Sequence, residues 1–187
     1  VDLKERVPTS GSAIMTVRQD DGVYYDTRDC AGILRRLFIL VVDFSVVITL
    51  NVLLFVAASS SDTMDAAYVP ASFVLWYAYL AVLKSTPLGT VGYRLAGVRL
   101  VDLRGRTASL WRSTFRFGLL VFGPLNLLFD ILWRGGDPNR QSIRDKFAGT
   151  YVVRRHATPA GVGPIDYKLY YMISYNLVFP EVVRNNS

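Results

Sequence analysis

The chain has 187 residues, of which 51% are hydrophobic, and its Lys and Arg residues outnumber its Asp and Glu residues by six. This length accommodates one domain, and the single Cys30 and single His156 exclude an intramolecular disulfide and a zinc site of clustered Cys and His ligands. Because no nucleophile, metal or cofactor motif is recognisable, the sequence predicts a protein that is not an enzyme and uses no cofactor.

The hydrophobic residues are concentrated in three runs. Residues 37–58 contain one acidic or basic residue, residues 66–83 contain none and residues 117–133 contain one. Apolar runs of about 17 to 25 residues match the hydrocarbon core of a bilayer, so the sequence predicts an α-helical membrane protein. We expect transmembrane helices at about 33–58 and 66–83, preceded by a mostly loose N-terminal arm over residues 1–29, in which only residues 15–17 and 23–25 look like short strands.

The basic residues indicate an orientation. Six Lys or Arg residues lie in the arm and at the start of the first helix, whereas the loop over residues 59–65 has none. Since cytoplasmic loops carry the excess of Lys and Arg, we expect the N-terminus inside and a hairpin of two helices with both ends in the cytoplasm.

The third apolar segment, residues 117–133, has two interpretations. A third span would place the six basic residues between positions 134 and 155 outside, against the same rule. A re-entrant hairpin, broken at Gly123 and Pro124, would return both ends to the cytoplasm. Residues 97–102 and 149–154 alternate like strands on either side of the segment, and they must share a compartment to form a small cytoplasmic β-pair. This favours the re-entrant hairpin.

The C-terminal tail, residues 156–187, is predicted to lie in the cytoplasm. It begins with a Pro- and Gly-rich linker, and residues 165–179 then contain five aromatic side chains. We interpret residues 165–179 as a short helix, which either binds the membrane interface or a partner, or packs on the cytoplasmic face of its own domain.

Asp43 is the most informative single residue, because a charge two turns inside a spanning helix costs about 2.5 to 3.5 kcal/mol. Arg36 lies on the same helix face but about 10 Å away along the axis, too far for a direct salt bridge. Asp43 must therefore be neutralised by a proton, a cation or a partner group. Asp130 either joins Asp43 around a cavity or is solvated at the interface near Arg134.

Three ordered stretches carry a family signature. Residues 31–43 include Arg36 and Asp43, residues 89–102 are glycine-spaced and end in a short strand, and residues 140–150 include Asp145. Together they resemble the RDD family of bacterial membrane proteins, which is named for one Arg and two Asp. The resemblance covers residues 30–155, with Arg116 also at an expected place. It departs from the family pattern at Tyr93, where relatives usually have Lys, and at Arg144, where they often have His.

The glycine-spaced motif comprises Gly89, Thr90, Gly92 and Gly97. Its spacing fits neither GxGxxG nor GxxxxGK[ST], so we interpret the glycines as sites of tight turns and close backbone approach rather than as a phosphate loop.

The resemblance implies a transport-related protein of the bacterial cytoplasmic membrane, which handles a monovalent cation or a proton through a polar cluster. The candidate cluster consists of Arg36, Asp43, Arg116, Asp130 and Asp145. Two or three helices enclose little space, so we expect a homo-oligomer or a larger membrane complex in the lipid bilayer.

The alternative function is a non-catalytic scaffold or assembly subunit, whose Arg/Asp cluster locks helices together and whose basic face docks a partner or anionic lipid. Nucleic-acid binding is not expected, because membrane orientation accounts for the positive charge.

A contact distant in sequence is also predicted. Arg36 enters the bilayer from the inside, and Asp145 immediately precedes the second alternating stretch. We therefore expect Arg36 and Asp145 to meet at the membrane boundary, with Arg116 as the other candidate partner of Asp145.

Overall fold

The fold is described from a computed structural model, which covers residues 21–59, 65–121, 141–172 and 175–184. Helix α1 is Ile33–Ala58, and helix α2 is Asp65–Tyr77. Helix α2 continues through a π-helical turn, Ala78–Val82, and a 3-10 turn, Leu83–Ser85. The second helical rod is therefore longer than its regular α-helical part.

Two helices are long and apolar enough to span a membrane. They are Ile33–Ala58, with a mean hydropathy of 2.6, and Ala67–Ser85, with a mean hydropathy of 1.3. In each, 17% of the most apolar window is buried inside the protein. The core helix of a soluble protein would bury most of that surface, so the exposed apolar side chains fit contact with lipid. The two predicted spans are confirmed in position.

Two short helices and a longer one follow the spans. Helix α3, Val91–Leu95, packs against α1 and leads into strand β2, Val98–Asp102. Helix α4, Leu110–Val121, packs against the π-helical turn and against α5, Ile143–Ala148. Of the third apolar segment, residues 122–133 lie outside the described residues, and so do the predicted break at Gly123 and Pro124 and the acidic residue Asp130.

The two alternating stretches form one antiparallel ladder. Strand β2, Val98–Asp102, pairs with strand β3, Thr150–Arg154, with Leu100 opposite Val152. The ladder is attached to the start of α1, because the Ala31 N–H donates to the Val152 carbonyl at 2.9 Å. The ladder therefore lies at the end of the spans where α1 begins.

The chain termini of the described fold form a second sheet, which corrects two predictions. Strand β1, Asp21–Tyr24, pairs with β4, Gly161–Met172, and β4 pairs with β5, Tyr175–Val182. The predicted helix over residues 165–179 is wrong, because its closely spaced aromatic residues also suit a strand and here find a hairpin partner. The prediction of a mostly loose arm is also wrong for residues 21–29, because the strand-like residues 23–25 overlap β1 and Tyr25 is 1% exposed.

The second sheet shares its core with the ladder. A buried apolar cluster combines residues from β1, β2, β3 and β5: Val23, Val101, Val153 and Val182. The β4–β5 hairpin is also joined to α5, because the Lys146 ammonium, in a side chain 1% exposed, donates to the Tyr170 hydroxyl at 2.9 Å. The C-terminal residues are therefore part of the folded unit that carries the ladder.

Candidate functional site

Asp43 lies on the buried face of α1, where it is 2% exposed although most of the helix faces outward. Its Oδ2 accepts a hydrogen bond of 2.8 Å from the Thr90 hydroxyl. Its Oδ1 accepts one of 2.8 Å from the Gly92 N–H and one of 3.2 Å from the Tyr79 hydroxyl. Three donors from two other elements therefore offset the loss of hydration around this carboxylate.

The glycine-spaced motif is built around that carboxylate. Thr90 caps the start of α3, and Gly89 precedes it with φ 66, in the left-handed region that glycine tolerates. A Cβ on Gly92 would lie 2.6 Å from Asp43 Oδ1 and 2.7 Å from the Ile39 carbonyl oxygen. Only a residue without a side chain lets the backbone of α3 approach α1 this closely.

The π-helical turn at the end of the second span positions two further groups. It contains Tyr79, whose hydroxyl both donates to Asp43 and accepts from the Val91 N–H at 3.1 Å. Lys84 follows it, and its ammonium lies 3.5 Å from Asp43 Oδ2 and 5.1 Å from the centre of the Tyr93 ring. Such turns replace the regular helical repeat and are frequent at functional sites.

A second cluster surrounds Asp145, whose side chain is fully buried. The Arg36 Nη2 atom lies 2.6 Å from Asp145 Oδ2, and Arg116 Nη1 contacts Oδ1. Arg116 also donates to the Thr150 hydroxyl at 2.8 Å. Asp145 is thus held between guanidinium groups from α1 and α4, and we call these three residues the arginine clamp.

The local sequence fixes Asp145 in its place. The Ser142 hydroxyl accepts from the Asp145 N–H at 3.2 Å, and Asp145 Oδ2 accepts from the Ser142 N–H at 3.1 Å, which is a capping box. Helix α5 then ends at Ala148 and is capped by Gly149, with φ 58, where the chain turns into β3. The carboxylate therefore has both a capping role and an ionic role.

Tyr93 lies between the two clusters and is 5% exposed. Burial raises the pKa of its phenol, but the positive charges of Lys84, Arg116 and Arg36 outweigh burial and hold the pKa below its ordinary value. A cavity of about 30 Å³ also adjoins both clusters, since Lys84 and Arg116 line it. That volume is enough for one water molecule.

The predicted polar residues therefore separate into two sites. The expected contact between Arg36 and Asp145 is present, and Arg116 joins it. Asp43 lies apart from this clamp, against Thr90 and Gly92 of the glycine-spaced motif. Gly97, with φ 63, serves the turn between α3 and β2. Asp130 is outside the described residues.

Sequence reasoning missed three contributors: Tyr79, Lys84 and Thr150. One signal was available for Lys84, because it is the first basic residue after the second apolar run. The described residues contain no group of three or more His, Cys, Asp and Glu side chains that could hold a metal ion.

Comparison with known proteins agrees with the motifs. Residues 30–149 match the sequence profile of the RDD family, and this stretch contains both carboxylate sites and the glycine-spaced motif. No curated protein and no solved structure matches the chain. The matched stretch covers more than half of the chain, and the two spanning helices lie within it, so this membrane protein belongs to the RDD family.

Proposed function

We propose that this protein takes part in transport, and that the pair of Asp43 and Lys84 is the site at which it exchanges a proton or a monovalent cation. One observation carries the proposal. A buried carboxylate inside a spanning helix has as its ionic partner an amine, 3.5 Å away, and each of the two groups can gain or lose a proton.

The pair of Asp43 and Lys84 differs from the arginine clamp in its positively charged group, which is a lysine ammonium rather than a guanidinium. A guanidinium stays protonated at any ordinary pH, so the ion pairs of Asp145 with Arg36 and Arg116 act as a fixed connection. A lysine ammonium is a single mobile charge on a flexible chain. A proton or a small cation can therefore take the place of Lys84 beside Asp43 without dismantling the fold.

The surroundings of Lys84 support access to the pair. Its side chain is 19% exposed and lines both the small cavity next to Arg116 and a larger cavity of about 200 Å³. Once displaced, the ammonium can therefore reach water. The hydroxyl oxygens of Tyr79 and Thr90, already beside Asp43, would supply additional oxygen ligands to a monovalent cation.

The proposed setting is the cytoplasmic membrane of a bacterium, with the N-terminus and both sheets inside. Supporting this orientation, the ladder adjoins the start of α1, and the second span ends at Ser85, next to Lys84, before the loop to α3. The basic residues of the described fold are concentrated at that end. Since two spans enclose no pathway, we propose a homo-oligomer or a larger complex.

The test is cation and proton flux in vesicles that contain the purified full-length chain. An imposed pH gradient should drive Na⁺ or K⁺ flux for the unaltered protein, and Asp43→Asn should abolish it, because the amide keeps the shape but cannot exchange a proton. Asp166→Asn is the matched control, since Asp166 is exposed on β4. A fully active Asp43→Asn protein, with ordinary folding, would refute the proposal.

The alternative function is a scaffold or assembly subunit, and one observation favours it. Asp43 already has three hydrogen-bond donors and an ammonium around it, which is the arrangement of a permanent connection between helices. If this role is correct, the unaltered protein gives no flux, and Asp43→Asn loosens the fold instead. Thermal unfolding of both proteins in detergent distinguishes the two cases.

A further inference from the structure

The cavity of about 200 Å³ lies where the second span meets the ladder. Its walls come from the end of the span, the loop before α3, α3 itself, strand β2, and the residues Thr107 and Arg155, which follow β2 and β3. The polar side chains of the wall include four basic residues: Lys84, Arg94, Arg99 and Arg155. None of the lining residues, all of which are described, is acidic. The cavity is therefore a concave surface of one charge sign.

The basic residues differ in how far they are already neutralised. Lys84 is paired with Asp43, and the Arg99 Nη2 atom donates to the Ala157 carbonyl at 2.9 Å. Arg94 and Arg155 are exposed, and neither forms an ion pair with another described residue. Their guanidinium groups therefore keep free donors beside the cavity.

A concave, cationic site without acidic residues attracts an anion, because like charges raise the local potential until a counter-charge occupies the site. Planar guanidinium groups match the oxygens of phosphate especially well, since each can donate two parallel hydrogen bonds.

We propose that this cavity binds a phosphate group through Arg94 and Arg155. The phosphate can belong to an anionic lipid or to a soluble molecule. Its position at the end of a span is the level at which lipid headgroups lie, and basic pockets there bind such groups. The cavity adjoins the proposed exchange pair through Lys84, but phosphate binding by Arg94 and Arg155 does not depend on exchange at Asp43, and either can exist without the other.

The experiment uses the full-length protein in an uncharged detergent and follows thermal unfolding. One arm adds inorganic phosphate against chloride at constant ionic strength, and the other adds phosphatidylglycerol against phosphatidylcholine. The test variant is Arg94→Gln with Arg155→Gln. Its matched control is Arg28→Gln with Arg154→Gln, which removes two exposed arginines that do not line the cavity. Each protein is compared with its own unfolding temperature without additive.

We expect a saturable rise in unfolding temperature with at least one of the two additives, and an apparent Kd at least about tenfold weaker in the test variant. The control variant should stay within about twofold of the unaltered protein. Saturation by phosphatidylglycerol alone identifies a lipid headgroup, and saturation by inorganic phosphate as well identifies a site for free phosphate. A protein that shows no saturable rise with either additive, or two double variants that lose affinity equally, would overturn the proposal.

Discussion

Removing the charge of Asp145 should destabilise the protein more than removing either arginine of the clamp. In Asp145→Asn the amide oxygen can still accept the Ser142 N–H of the capping box, so the helix start is preserved. What disappears is the counter-charge between Arg36 and Arg116, whose side chains are 20% and 13% exposed. Breaking a buried ion pair costs about 3 to 5 kcal/mol, and here it leaves two guanidinium groups facing each other.

Arg36→Met is the milder change. The Asp145 carboxylate keeps Arg116 and the Ser142 N–H, so only one charge-assisted interaction is lost, worth about 1.5 to 3 kcal/mol. In the Asp145→Asn background the same change relieves the repulsion between the two arginines. The double variant should therefore be no less stable than Asp145→Asn alone, with a coupling energy of about 1 to 3 kcal/mol.

The measurement is the free energy of unfolding of the four proteins, from denaturant titration in one uncharged detergent. Arg35→Met is the matched control, because it removes the same charge from the neighbouring position of α1, which is outside the clamp. If the effects of Arg36→Met and Asp145→Asn add to within about 0.5 kcal/mol, the residues do not interact energetically and the reasoning fails. Equal coupling from Arg35→Met would show a nonspecific charge effect.

Two further predictions concern buried positions. Tyr25 is 1% exposed, its hydroxyl has no hydrogen-bond partner among the described residues, and burial, partly offset by Arg99, raises its pKa. Unfolded tyrosine ionises near pH 10, and folded Tyr25 ionises only at a higher pH. The free energy of unfolding should therefore fall as the pH rises above about 10. Tyr25→Phe should make that fall shallower and raise the free energy of unfolding by about 1 kcal/mol. Unfolding at about pH 8 and about pH 11 tests this, and a steeper fall in the variant would contradict it. Gly92→Ala would place a Cβ against Asp43, so it should lower the free energy of unfolding by at least about 3 kcal/mol. Gly97→Ala has space for its Cβ and is unfavourable only because of the left-handed φ, so it should lower the free energy of unfolding by about 1 kcal/mol. Equal costs would argue against close packing at Gly92.

The two spans and the contact of Arg36 with Asp145 could be predicted from the sequence, because each depends on a strong local constraint. Bilayer thickness sets the length of an apolar run, so two runs sufficed to locate the helices. The contact of Arg36 with Asp145 followed from two boundaries, the start of α1 and the start of a strand, which leave both side chains at one level.

The hydrogen-bond partners of Asp43 could not be predicted in the same way. Thr90 and Gly92 reach it only because α3 packs against α1, and Tyr79 only because a π-helical turn rotates it inward. Neither the packing nor the turn has a sequence period that identifies it. The β4–β5 hairpin was missed for a related reason, since closely spaced aromatic residues suit both a helix and a strand, and the partner strand β1 lies about 140 residues away in sequence.

The two sites share one helix, so the arginine clamp fixes the position of the helix that carries Asp43. Arg36 and Asp43 lie two turns apart on the same face of α1, so the clamp holds Asp43 at a fixed depth about 10 Å away. Exchange at Asp43 then cannot proceed by sliding of α1 without breaking the arginine clamp, which costs several kcal/mol. The adjustable elements are those on the other side of the carboxylate: the π-helical turn, Ala78–Val82, and the side chain of Lys84. If the proposed exchange takes place, we therefore expect any movement to involve the π-helical turn and Lys84, while the arginine clamp stays in place.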